Sequence, residues 1–283
     1  MQIAFLIFMF VLGAAFGSFL CCQVRRMEVQ CSTRGITERG SASISAGRPW
    51  RWAGRTRPER EHELPIRSIC LHCKKKLKWY DNIPIISWLI LRGKCRFCHK
   101  KIGYAEIISE LATAISMVML GSTINIETAT ALEWGKFIAI ILFSLTLIFL
   151  AIYDGISGKL PTICLIFALL FATFSIIPTL LSSFSIQPFL SAALFGGIYL
   201  ILYLASRGKW VGDGDWILSL AIGLALGHPW LSMIALFIAN LSACFIMYPV
   251  VKKKKNHQIY FGPFLVLAFI VTYTFSNFFI SMI

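Results

Sequence analysis

Along the 283 residues, apolar runs recur at 3 to 22, 105 to 123, 135 to 153, 161 to 181, 188 to 206, 214 to 227, 230 to 250 and 262 to 282. A run of about 17–25 apolar residues has the length of a helix that crosses a bilayer. The pattern therefore predicts an all-α polytopic membrane protein of about eight transmembrane helices. The sixth run is the exception. Trp216 to Gly227 rises only ~18 Å at 1.5 Å per residue, against a hydrocarbon core of about 30 Å. It must be broken, tilted among its neighbours, or continued into the interior by the preceding "GDGD". Ser219, Gly223 and Gly227 recur every four residues within it, a spacing of small residues that lets helices approach closely. The first run has no basic residue before it, so it lacks the charged start of a cleavable signal and reads as a retained helix.

Composition agrees with the pattern. Hydrophobic residues make up 57% of the chain and charged residues only 14%, far from the balance of a soluble domain. The net charge of +14 then fixes an orientation, because cytoplasmic loops hold the excess of Lys and Arg. With the N-terminus outside, residues 23 to 103 are cytoplasmic and carry 19 of the 27 basic side chains. Lys159, Arg207, Lys209 and the run Lys252 to Lys255 fall on the same side, and only Lys136 falls outside.

This orientation brings two acids to one depth. Asp154 closes the third run in "IYDGISGKLP", and Asp215 opens the sixth in "WVGDGDW". Acids at span ends are commonly just solvated, so position alone leaves two readings open. Gly212 and Gly214 around Asp213 let the backbone come close to a substrate. Asp215 would begin a helix, at its positive end, and Asp154 would finish one, at its negative end. Helix ends of opposite sign would give the carboxyls different protonation states, the division of labour that acid/base chemistry by a pair requires. Such a pair activates water against a peptide carbonyl without a nucleophilic Ser or Cys.

Residues 23 to 103 carry a second constellation. "CLHC" at 70 to 73 and "CRFC" at 95 to 98 are paired C-x-x-C knuckles with 21 residues between them, close to zinc-ribbon spacing. Cys70, Cys73, Cys95 and Cys98 are the expected ligands of a closed, structural zinc site. Cys31 and His72 are weaker candidates. Disulfides or unrelated thiols are the alternatives, and a reducing compartment disfavours the first. Cys21, Cys22, Cys164 and Cys244 lie in apolar runs and read as small packing residues. Between the knuckles, the stretch from Ile83 to Leu91 is too short to cross a bilayer, while Trp79, Tyr80 and Trp88 are interface-seeking. Residues 27 to 66 are rich in Arg, Gly and Ser, which predicts poor order. Their charge suits anionic lipid headgroups; no nucleic-acid fold signature accompanies it.

"GSFL" at 17 to 20, "YDGISGKLP", "GDGD" and "YFGPFL" at 260 to 265 together resemble the type IV prepilin peptidases, the GxGD-type aspartyl membrane proteases. The "DNIP" at 81 to 84 and "SWL" before the second knuckle fit the same resemblance, which runs through nearly the whole chain in order. It implies a bacterial inner-membrane enzyme that cuts the leader from prepilins or pseudopilins on the cytoplasmic side. Asp154 and Asp215 take the two catalytic positions, and Asp213 is a bystander. The implied organisation is a first helix at 1 to 22, a basic knuckle domain at 23 to 103 and a seven-helix protease core at 104 to 283. Many such enzymes also methylate the new N-terminus, which implies S-adenosylmethionine as methyl donor. The chain departs from the pattern at Cys21, where Asn is common, at Ile217, where Lys is usual, and in "KKIGYAEIISEL", which lacks the usual Arg-Tyr-Pro although Glu110 matches a family acid. These departures bear on methylation rather than on the protease core. A transporter with broken helices, a presenilin-like protease and a zinc-anchored scaffold are the rival classes.

Overall fold

The structure, a computed structural model, describes residues 1–42, 73, 75–76, 78–101, 104–158, 160–182, 185–208, 211–253 and 260–282. Ten α-helices are present among them: α1 Gln2–Ala42, α2 Ile86–Ile90, α3 Tyr104–Gly121, α4 Ala131–Ser157, α5 Thr162–Ser182, α6 Gln187–Ser206, α7 Asp213–Leu226, α8 Pro229–Lys253, α9 Gly262–Thr274 and α10 Ser276–Ile280. Five contain stretches long and apolar enough to cross a membrane: Gln2–Met27 of α1, all of α4, α5 and α6, and Pro229–Ile246 of α8. The chain is a multi-pass, all-helical membrane protein.

Every apolar run is helical. α3 has 18 residues and carries Glu106 and Glu110, and two further runs give helices too short for a span. α7 has 14 residues, as its short apolar run predicts. The last run is divided at Phe275 into α9 and α10. Within the segment 27 to 66, the described part is the continuation of α1 to Ala42. A helix already nucleated in the apolar segment extends at the low cost of propagation, and no proline interrupts it before Pro49. Residues 43 to 66 lie outside the described residues.

Helix ends follow their local chemistry. α4 starts on a reciprocal cap, in which Glu133 N–H donates to Thr130 Oγ1 (3.3 Å) and Thr130 N–H donates to Glu133 Oε2 (2.7 Å). It stops at Gly158, whose left-handed φ of 65° lets its N–H reach the Asp154 carbonyl.

Within a bilayer, helices associate by close packing rather than by escape from water. Glycines set the two tightest crossings. A Cβ on Gly17 of α1 would lie 2.7 Å from the Glu110 Cα of α3, and one on Gly223 of α7 would lie 2.7 Å from the Ser191 carbonyl of α6. Ser191 Oγ also donates to the Gly223 carbonyl (2.6 Å). The main core spans α4 to α9, with Phe143 edge-on to Phe269 at 5.0 Å between centroids. A smaller cluster of Met9, Met117, Ile124 and Phe137 joins α1, α3 and α4.

Candidate active site and cysteine knuckle

Asp154 lies in the last turn of α4 and is buried, with 6% of its surface exposed. Its Oδ2 accepts the N–H of Gly262, the first residue of α9, at 3.0 Å. That N–H is one of the first-turn donors that no helix can satisfy internally. Tyr260, just ahead of α9, lays its ring against Gly158, where an added Cβ would come within 2.8 Å. The end of α4 and the start of α9 are thus clasped around the carboxyl.

Asp215 is the third residue of α7. Its Oδ2 accepts the N–H of Gly212, the residue capping that helix, at 3.0 Å. Gly214 brings the start of α7 against Leu160, leaving 2.7 Å for a Cβ. The backbone just after Asp154 and the backbone around Asp215 therefore meet at Leu160. The two carboxyls lie near enough to act on each other electrostatically. Tyr199 of α6 spans the same region. Its ring packs on Phe261 at 5.6 Å, and its hydroxyl faces Asn240 without closing a hydrogen bond of normal geometry. Asp213 is exposed and faces Tyr203.

The structure corrects one expectation about this pair. Asp154 does end a helix, but it also meets the positive start of α9, so helix ends do not set it apart from Asp215. Each carboxyl instead receives one backbone N–H at the beginning of a helix. Sequence reading missed Gly262 as a donor because the chemistry is in the backbone; the only mark was the glycine in "YFGPFL".

The thiols of Cys73, Cys95 and Cys98 lie within 4.8 Å of one another. Zn–S bonds of about 2.3 Å in a tetrahedron separate sulfurs by about 3.8 Å, so the three thiols fit zinc. Cys70 and His72 lie outside the described residues, as does the side chain of Cys31. The second knuckle is a tight loop, in which Cys95 N–H donates to the Lys100 carbonyl (2.9 Å) and His99 N–H to the Cys95 carbonyl (2.9 Å). Asp81 ties the "DNIP" turn to this loop by accepting from Arg96 Nε (2.8 Å) and Nη2 (2.7 Å), while the guanidinium lies over the Tyr80 ring. A second link runs to the helices: Ile85 N–H donates to Oε2 of the buried Glu110 on α3 at 2.9 Å. Nearby, Arg25 of α1 pairs with Glu106 at 2.7 Å, and Cys21 is buried against Ser109. Cys22 borders a cleft of about 370 Å³ that also exposes Ser18, Phe19, Gln23, Arg26 and Pro84. Cys164 is half-buried and Cys244 exposed.

Comparison with known proteins places this architecture. Residues 11–124 match the family described as the bacterial peptidase A24 N-terminal domain, a segment that includes Gly17, Glu110 and both knuckles. The "Type 4 prepilin-like proteins leader peptide-processing enzyme" of Escherichia coli O78:H11 (strain H10407 / ETEC) is 31% identical over 214 residues, covering 73% of this chain and 74% of that protein. The "Prepilin leader peptidase/N-methyltransferase" of Aeromonas hydrophila is 32% identical over 218 residues, covering 71% and 69%. That of Burkholderia pseudomallei (strain 1026b) is 30% identical over 273 residues, covering 94% and 82%. No solved structure matches the chain. With identity at this level across most of both partners' lengths, the chain belongs to the family of the prepilin leader peptidases/N-methyltransferases.

Proposed function

We propose that the protein removes the leader from prepilins or pseudopilins at the cytoplasmic face of a bacterial inner membrane, with Asp154 and Asp215 as the hydrolytic pair. What supports this reading is that the start of α7 packs through Gly214 on Leu160, six residues after Asp154, and that each of these two acids 61 positions apart is held through Oδ2 by one backbone N–H. In this reading the second oxygen of each carboxyl serves water and substrate. One carboxylate takes a proton from water as the oxygen attacks the scissile carbonyl carbon. The other, protonated, donates to the carbonyl oxygen. Collapse of the tetrahedral intermediate breaks the C–N bond, and the leaving amine takes a proton from the pair. No covalent acyl-enzyme forms.

The same reading gives the knuckle a structural role. Zinc held by Cys73, Cys95, Cys98 and Cys70 would cross-link the segment and supply no reacting atom. Ile86, Leu89 and Ile90 of α2 are exposed apolar side chains, suited to dipping into lipid headgroups beside the basic loop. Methylation of the new N-terminus would draw on S-adenosylmethionine. The cleft beside Cys22 has the size of a small-molecule site. The transporter and scaffold readings find no support in the names of the relatives.

Asp154→Asn and Asp215→Asn test the pair. Each should lower cleavage of a co-expressed prepilin by on the order of 10²–10⁴-fold at unchanged protein level. Near-normal processing by either variant rejects the assignment. Mass spectrometry of the mature N-terminus tests the second activity, and an unmethylated product reduces the protein to a peptidase alone.

A further inference from the structure

We infer that Gly262 is a positioning residue for the hydrolytic reaction: its N–H sets the rotamer of Asp154, and its lack of a side chain makes room for that carboxylate. The inference rests on the aspartate-pair reading and adds a requirement at a distant part of the chain. The hydrogen bond joins residues 108 positions apart, is buried, and measures 3.0 Å. Any residue except proline supplies an N–H, so the hydrogen bond alone does not call for glycine. The space does. A Cβ at position 262 would sit 2.9 Å from Asp154 Oδ2 and 3.3 Å from its Cβ. Gly262 does not have a positive φ, so its backbone would accept alanine and the conflict is steric. The added methyl pushes the carboxylate off its donor and away from Asp215.

Gly212, the corresponding donor to Asp215, differs. A Cβ there would lie 3.4 Å from Asp215 Oδ2, an ordinary contact. The two donors look alike as hydrogen bonds but only the one on α9 demands glycine. Pro263 sharpens this, because it leaves no N–H at the next position to take over.

The experiment compares Gly262→Ala, Gly212→Ala, Asp154→Asn and wild type in cleavage of a purified prepilin by the detergent-solubilised full chain. Gly262→Ala should lower kcat by about tenfold or more, with KM within about twofold, and Gly212→Ala should lose less. A thermal-unfolding cycle then asks whether the effect runs through Asp154. Gly262→Ala should lower the midpoint in the wild-type background and lower it clearly less in an Asp154→Ala background, where the carboxylate at 2.9 Å is gone and only the 3.3 Å contact with Cβ is left. If the single variant does not accumulate but Gly262→Ala with Asp154→Ala does, the coupling stands. Wild-type kcat in Gly262→Ala overturns the inference, as does equal destabilisation in both backgrounds, failure of both to accumulate, or an equal loss in Gly212→Ala. An active Asp154→Asn overturns the underlying reading instead, so the two failures are distinct.

Discussion

Asp154 and Asp215 stand on helices of 27 and 14 residues whose ends are locked by backbone donors and by glycine-lined crossings. Cys73, Cys95 and Cys98 stand on a segment whose longest described helix has 5 residues. In the first region, position is inherited from helix packing, and the functional groups add only their own hydrogen bonds. In the second, position depends on a few polar links, Asp81 to Arg96 and Glu110 to Ile85, and on the thiols themselves. A site built on packing should tolerate loss of its functional groups without unfolding. A site built on links should lose its shape when a link is cut.

The largest effect should come from the metal. On the proposed zinc reading, changing Cys95 to Ser, or stripping the protein with a chelator, should remove metal-linked folding energy on the order of 10 kcal/mol from the knuckle. Metal analysis should fall from about one equivalent to none, and proteolysis should open the segment between the knuckles. The unfolding midpoint of the α4–α9 bundle should barely move; a bundle that unfolds with the knuckle breaks the contrast between the regions. Next is Gly223→Val, which forces a branched side chain onto the Ser191 carbonyl of α6. It should cost about 3 kcal/mol, read as a lowered unfolding midpoint with cleavage falling in parallel. Glu110→Leu should cost about 1–2 kcal/mol by stranding the Ile85 N–H, seen as faster hydrogen exchange at that amide, whereas Glu110→Gln keeps an acceptor and should stay near wild type. The smallest effect is at adjacent glycines of α6. Gly197 faces open space, so Gly197→Ala should stabilise by about 0.5–1 kcal/mol, while Gly196→Ala meets Leu220 at 2.7 Å and should destabilise. Equal responses at 196 and 197 would remove the packing argument for the α6–α7 crossing.

The sequence exposes these regions unequally. Acids in a chain with so few charges stand out, and paired C-x-x-C motifs announce themselves by spacing, so the candidate side chains can be picked out from residue types and their order alone. Their supports are not. Gly262 and Gly212 act through N–H groups that nearly every residue owns, and Ile85 offers its N–H from a backbone with φ of 62°, which an apolar residue gives no reason to expect. The helix-end argument for Asp154 fails for a related cause: the start of α9 arrives from 108 positions away, and a local reading sees only the end of α4.

The crossing of α1 and α3 carries one more implication. Gly13 and Gly17 bring the two backbones together on their own account, with a Cβ at Gly13 only 2.8 Å from the Ala114 Cα. These contacts belong to the two helices themselves, not to the stretch of sequence that joins them. Evolution could therefore trim, enlarge or exchange that appendage and still deliver a sound helical frame, provided the incoming graft offers Glu110 something to hold.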